Sequence, residues 1–164
     1  LPVEVAVIPD GSGKIEITGS LGDVMKESAK LAISYARVHG EEYGIKAEKL
    51  KNVDIHIHAP EGAVPKDGPS AGITMATAIF SAVTERKIRA DLAMTGEITL
   101  RGRVLPIGGL KEKLLAAKQA GIKTVLVPKE NQPDVEELLQ EITKGLEIIP
   151  VSQMKEVLKK ALVQ

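Results

Sequence analysis

The sequence predicts a mixed α/β domain, a hairpin-like first half followed by alternating helices and strands, and three observations carry that prediction. The chain has 164 residues, within the roughly 100–200 of one domain. Hydrophobic residues make up 43% and charged residues 27%, a globular balance with enough apolar material for a core. Two-residue alternation marks the early apolar positions, whereas helical spacing alternates with short apolar strands later. No repeat, low-complexity stretch or internal linker divides the chain.

The elements follow in order. Val3, Val5 and Val7 alternate with Glu4 and Ala6, and Ile15 and Ile17 with Lys14, Glu16 and Thr18. Pro9-Asp10-Gly11-Ser12-Gly13 between them is turn chemistry, so the first twenty residues read as a hairpin. A helix is expected from Asp23 to His39, with Val24, Met25, Leu31, Ala32, Tyr35 and Val38 as its apolar stripe and Gly40 as its stop. Val53, Ile55 and Ile57 alternate with Asp54, His56 and His58 as a strand, and a Pro/Gly-rich loop from Pro60 to Pro69 leads into a helix near Ser70. Leu92 to Ile107 reads as a second hairpin turning at Arg101-Gly102. A helix from Gly109 to Ala120, a buried strand from Thr124 to Val127 and a helix opened by Pro133, with Val135, Leu138, Leu139 and Ile142, come next. Leu146 to Val151 is a strand, and Ser152 caps a last helix carrying Met154, Val157, Leu158, Ala161 and Leu162. Such alternation implies parallel pairing in the second half.

Composition narrows the function. Lys+Arg and Asp+Glu are both 22, so the net charge is zero, against a nucleic-acid binder. Tyr35, Tyr43 and Phe80 are the only aromatics, too few for a base-stacking platform. Zero cysteine rules out disulfides, a thiolate nucleophile and a cysteine zinc site, and fits a reducing compartment. No stretch approaches the ~20 apolar residues of a membrane span. Leu1-Pro2-Val3-Glu4 is no signal peptide, and the absence of an initial Met suggests a chain cut from something longer.

Gly68-Pro69-Ser70-Ala71-Gly72 matches the G-x-S-x-G pattern, with Ser70 placed where a helix starts. Backbone N–H groups are unpaired there, and the small Ala71 and Gly72 leave Ser70, Ala71 and Gly72 open as an oxyanion hole. Ser70 acting only as an N-cap is the competing reading. His39, His56 and His58 all precede Ser70, which excludes the Ser–acid–His order of an α/β-hydrolase. A lysine fits better as the base. At about 100° per residue, Leu110, Leu114, Ala117 and Ala120 form an apolar arc with Lys113 inside it, whereas Lys111, Glu112, Lys118 and Gln119 lie off it. A lysine directed inward loses its charge more easily, and a desolvated lysine beside a serine is a known nucleophile–base pair. A snorkelling stem whose ammonium reaches water is the alternative. His56 and His58 beside Asp54 are weighed as a metal pair and set aside for lack of a third clear ligand. Ser152-Gln153-Met154-Lys155 matches S-x-x-K, but a capped terminal helix explains it. No G-x-x-x-x-G-K-[ST] occurs.

Four longer motifs carry a resemblance over essentially the whole chain. Gly19-Ser20-Leu21-Gly22-Asp23-Val24-Met25-Lys26-Glu27-Ser28, Pro65-Lys66-Asp67-Gly68-Pro69-Ser70-Ala71-Gly72, Met94-Thr95-Gly96-Glu97-Ile98-Thr99-Leu100-Arg101-Gly102 and Leu105-Pro106-Ile107-Gly108-Gly109-Leu110-Lys111-Glu112-Lys113 resemble the proteolytic domain of bacterial A-type Lon proteases. The resemblance implies that fold over residues 1–164, without the upstream ATPase module and without an opening strand. It implies a serine endopeptidase with Ser70 as nucleophile and Lys113 as general base. Thr95 would hydrogen-bond the lysine, and Asp67 would lie beside the nucleophile and respond to active and inactive loop states. It further implies a homo-hexamer acting on unfolded, misfolded or regulatory proteins in the cytoplasm, with ATP and magnesium bound by the missing module and no cofactor, membrane or nucleic-acid site in this chain. A latent ring-assembly module and a phosphate-binding domain like that of GHMP-type kinases are the rival expectations.

Overall fold

The computed structural model describes residues 3–19, 21–60, 72–138 and 140–163. Its elements are β1 (Glu4–Ile8), β2 (Ile15–Gly19), α1 (Asp23–His39), α2 (Ala47–Lys51), β3 (Asp54–Ala59), α3 (Gly72–Thr84), β4 (Leu92–Met94), β5 (Glu97–Ile98), β6 (Val104–Leu105), α4 (Leu110–Gln119), β7 (Thr124–Pro128), α5 (Gln132–Glu137), α6 (Gln140–Thr143), β8 (Glu147–Val151) and α7 (Met154–Ala161). Helices and strands are mixed as expected.

The first sheet corrects the expected opening hairpin. Its order is β1-β3-β2, so β3 separates the two strands that were to pair. β1 runs antiparallel to β3, and β2 parallel to it. Asp54 explains the insertion. Its carboxylate enters the turn between β1 and β2 and accepts the N–H groups of Ser12 (3.0 Å) and Lys14 (2.8 Å). Gly11 leaves room for that carboxylate, because a Cβ there would collide with it. The loop that resembles a tight turn is thus spread by a side chain 40 residues away in sequence.

Helix α1 has the expected bounds, and Met25, Ala32 and Tyr35 of the expected stripe are buried while its two valines are not. Val24 is 41% and Val38 71% exposed, whereas Met25, Ser28, Ala29, Ala32, Ile33, Tyr35 and Ala36 face the core. Gly40 is the C-cap where α1 ends, but without left-handed backbone. Its φ of −57° is helical, and the chain winds on as a 3₁₀ turn (Gly40–Tyr43) before reversing at Gly44 (φ +81°). Gly40 is small for packing instead, since a Cβ would sit 3.3 Å from Leu50 and 3.4 Å from Ile45.

The second sheet, β4-β7-β8, is parallel throughout, and the alternation predicted its β7–β8 pairing. All five residues of β7 are buried, and its two faces serve different cores. Leu126 joins a large cluster with α1, β3, α3 and α7. Val125 and Val127 join a smaller one with Leu110, Leu114 and Ala117 of α4 and Ile142 of α6.

The second expected hairpin is shorter than the sequence suggested. β4 belongs to the β7 sheet, and only β5 and β6 pair antiparallel around the turn at Arg101-Gly102, where Gly102 has φ +82°. The helix opened by Pro133 is two helices, because Leu138 takes extended backbone (ψ 145°) between α5 and α6. The cap of α7 is Gln153, one residue later than expected. Ser152 is used differently: its carbonyl accepts the Val104 N–H (2.9 Å), and its hydroxyl donates to Glu156 Oε1 (2.8 Å).

Candidate active site

Helix α4 carries the lysine that the sequence singled out. Gly109, in left-handed backbone (φ +70°), turns the chain into the helix. Leu110, Leu114 and Ala117 are buried against the smaller core, while Ala120, the helix C-cap, is exposed and falls off the expected arc. Lys113 is half-buried, one helical turn after Gly109, and its backbone N–H donates to the Gly109 carbonyl (3.3 Å).

The Lys113 ammonium Nζ donates to Thr95 Oγ1 at 3.1 Å. Thr95 follows β4 and is 4% exposed, and its N–H donates to the Leu126 carbonyl of β7 (3.1 Å). Two residues 18 apart in sequence are therefore brought together. They line a cleft of about 560 Å³ between α3, β4 and α4. Among the described residues lining it, Lys113 alone is charged; Thr74, Thr77 and Thr95 are the polar neighbours, and the remainder is aliphatic, alanine or methionine.

Ser70, Asp67 and Ala71 lie outside the described residues, so of the expected oxyanion-hole positions only Gly72 is described. Gly72 opens α3, and its surroundings tie that helix to Thr95. The Ile73 N–H donates to the Gly96 carbonyl (3.1 Å). A Cβ on Gly72 would overlap Glu97 Oε1 and lie 2.9 Å from the Ile98 nitrogen. Glu97 is held in turn, accepting the Ser28 hydroxyl of α1 through Oε2 and the Ile98 N–H (2.9 Å) through Oε1. Three consecutive residues thus set the geometry: Thr95 meets the lysine, Gly96 anchors α3, and Glu97 fills the space Gly72 leaves empty.

Glu97 and Ser28 received no role from the sequence. Both sit inside the recognised motifs, and that was the only signal available. A carboxylate that packs on a glycine 25 positions away leaves no trace in periodicity or spacing.

The other candidates have structural partners. Thr18 Oγ1 lies 2.7 Å from His56 Nε2 and 2.8 Å from His58 Nδ1, so one hydroxyl joins both imidazoles. Asp54, their expected neighbour, is the carboxylate of the β1–β2 turn. His39 stacks on Tyr35 (ring centroids 4.7 Å apart) and pairs with Glu42 (3.1 Å). Burial, reinforced by the Tyr43 hydroxyl at 2.6 Å, pushes the Tyr35 hydroxyl far above its ordinary range, so it stays protonated. Burial likewise raises Tyr43.

With this geometry in place, known proteins supply the comparison. The family model for the Lon protease (S16) C-terminal proteolytic domain matches residues 1–164. The chain belongs to this family. A Lon protease of Lachnoclostridium phytofermentans is 66% identical over 163 residues, which is 99% of this chain and 20% of that protein. Lon protease 1 of Thermus thermophilus is 60% identical over 159 residues (97% and 20%), and Lon protease 1 of Bacillus subtilis 57% over 163 (99% and 21%). The chain therefore spans about a fifth of the length of the curated Lon relatives it matches. Among the described residues of this Lon domain, no helix is long and apolar enough to cross a membrane.

Proposed function

We propose that this chain hydrolyses peptide bonds with a Ser70–Lys113 dyad, as the proteolytic part of an ATP-dependent protease that degrades misfolded and regulatory proteins. The observation that carries the proposal is the Lys113–Thr95 hydrogen bond, in a cleft whose described lining holds no other charge. Chain connectivity supports the partner. Ser70 precedes Gly72 by two residues, a reach of about 7 Å at most, and Gly72 is packed on Glu97, two residues from Thr95.

The chemistry follows from these groups. Thr95 accepts one Lys113 N–H and so orients the amine. Neutral Lys113 takes the Ser70 hydroxyl proton as Oγ bonds to the peptide carbonyl carbon. Backbone N–H groups of Ser70, Ala71 and Gly72, at the positive end of α3, stabilise the oxyanion. Protonated Lys113 then gives its proton to the leaving amine as the C–N bond breaks. It next takes a proton from a water whose oxygen bonds to the acyl carbon, and returns that proton to Ser70 Oγ as the ester C–O bond breaks. Asp67 belongs to the same loop, where its carboxylate distinguishes active from inactive arrangements.

An extended substrate pairs best with β4. β3 has a partner on each side, whereas among the described residues β4 lies at an edge of its sheet and Leu92–Thr95 line the cleft. In the whole protein the domain works as a cytoplasmic homo-hexamer on unfolded chains, with ATP and magnesium held by a separate module. The absence of a P-loop sequence in residues 1–164 is consistent with that division.

Hydrolysis of a fluorogenic peptide by the full-length protein, from about pH 6 to about pH 10, tests the dyad across the range in which an amine is shifted downward. Activity should rise as an amine deprotonates and fall at least about a thousandfold in both Ser70→Ala and Lys113→Ala. A folded Lys113→Ala protein with full activity would overturn the assignment.

A further inference from the structure

Asn131 is 2% exposed and lies in neither the cleft nor the expected dyad. It ends the 3₁₀ turn (Lys129–Asn131) that follows β7 and occupies the N-cap position of α5. An asparagine there ordinarily accepts an N–H of its own helix, yet this one makes no such bond. Its amide reaches across the fold instead. Oδ1 accepts the Ile107 N–H (2.9 Å), and Nδ2 donates to the Ile107 carbonyl (2.8 Å). The side chain thus pairs with both backbone groups of one distant residue, as a neighbouring strand would. A third bond, from Nδ2 to Asp134 Oδ2 (2.7 Å), fixes which end of the amide is the donor.

The place of that clamp gives it meaning. Ile107 stands in Pro106-Ile107-Gly108-Gly109, the segment that enters α4, and its two glycines leave the backbone many alternatives. A Cβ on Gly108 would meet nothing, so close packing does not confine that residue. Gly109 begins the turn that ends at Lys113. Rotation or slippage of this entry would swing Lys113 away from Thr95, which β7 holds through the Leu126 carbonyl. β7 and the turn that follows it therefore fix both partners, Thr95 directly and α4 through Asn131.

We propose that Asn131 is a positioning residue for Lys113, setting the entry of α4 so that the amine meets Thr95 and the nucleophile. This rests on the dyad reading. The test uses the full-length protein with Asn131→Ala, which removes all three bonds, and Asp134→Ala, which removes only the exposed carboxylate that orients the amide. Asn131→Ala should lower kcat about tenfold or more, leave KM within about twofold, and displace the rising limb of the pH profile. Asp134→Ala should give a smaller change of the same kind. A purely structural role would lower thermal stability but leave the kcat and pH limb of the folded fraction at parental values, and that result overturns the proposal. If Asn131→Ala does not fold, Asp134→Ala decides: parental kcat and pH limb refute the role, and a lower kcat with a moved limb supports it. Lys113→Ala is assayed alongside. Retained activity there overturns the dyad itself, whereas its loss beside an unaffected Asn131→Ala overturns only the positioning role.

Discussion

The two helices that meet at the cleft are built differently. α3, which starts two residues after Ser70, buries Gly72, Ile73, Met75, Ala76, Thr77, Ile79, Phe80 and Val83, and nearly all of these belong to the larger core. α4, which carries Lys113, fully buries only Leu110, Leu114 and Ala117 against the smaller core, with Leu115 packed partly against it. Packing holds α3 on several sides, with one backbone bond from Ile73 to the Gly96 carbonyl beside it, whereas α4 has one apolar face and a glycine-rich entry. An arrangement that needs reacting atoms aligned to a fraction of an ångström must therefore anchor α4 with polar contacts: Thr95 at the amine and Asn131 at the entry.

That contrast can be broken most severely at Gly72. A methyl group there overlaps Glu97 Oε1 and crowds the Ile98 nitrogen at 2.9 Å, so either Glu97 leaves Ser28 or α3 shifts along its axis. Gly72→Ala should reduce peptide hydrolysis about a hundredfold, the scale of a 1 Å misplacement. It should also destabilise the fold by about 1–3 kcal/mol, as overpacking does, read by urea unfolding. Glu97→Gly in the same chain should relieve the overlap and recover part of the stability, so the two changes are not additive. Additive losses would show that Gly72 and Glu97 act separately.

How much of this was legible in the sequence depends on the range of the contact involved. Lys113 stood out because its helix neighbours define an apolar arc, a local pattern. Parallel pairing of β7 and β8 followed from the alternation of elements, whereas β4, read as part of a hairpin, joins them instead. The hairpin over the first twenty residues failed because its outcome depends on Asp54, whose carboxylate spreads the turn from a distant strand. Gly40 marks the end of α1, but the reason for a small residue there, the side chains of Leu50 and Ile45, is tertiary. At the site, Thr95 came from the family resemblance and not from spacing. Glu97 and Asn131 came from neither, because each acts on a backbone segment at least 24 residues away in sequence.

A milder change sharpens the same comparison at the amine. Thr95→Val keeps the shape of the side chain and removes the acceptor of the Lys113 N–H, with no change to the backbone bond to Leu126. The expected loss in kcat is about tenfold, matching a net hydrogen bond of about 1.5 kcal/mol. The direction of the pH effect follows from the bond. An acceptor beside the ammonium favours the charged form, so its removal should move the rising limb to lower pH even as the maximum falls. A limb that moves upward, or stays fixed while kcat falls, would mean that Thr95 orients the amine without influencing its proton.

The smallest effect is expected on α1, where the apolar stripe read from the sequence and the buried face differ in part. Val38 belongs to the stripe by spacing, yet it is 71% exposed near the end of the helix. Ile33 and Ala36, outside the expected stripe, are buried in the large core instead. Truncating an exposed valine removes little apolar area from contact, and alanine is the better helix former. Val38→Ala should therefore stay within about 0.5 kcal/mol of the parent in urea unfolding of this chain, with peptide hydrolysis by the full-length protein unchanged. A loss above about 1 kcal/mol would place Val38 in a packed environment and restore the stripe that periodicity alone had drawn. The large core would then extend around α1 on a side that the structure leaves to solvent, and the contrast between a many-sided grip on α3 and a one-sided grip on α4 would be greater still.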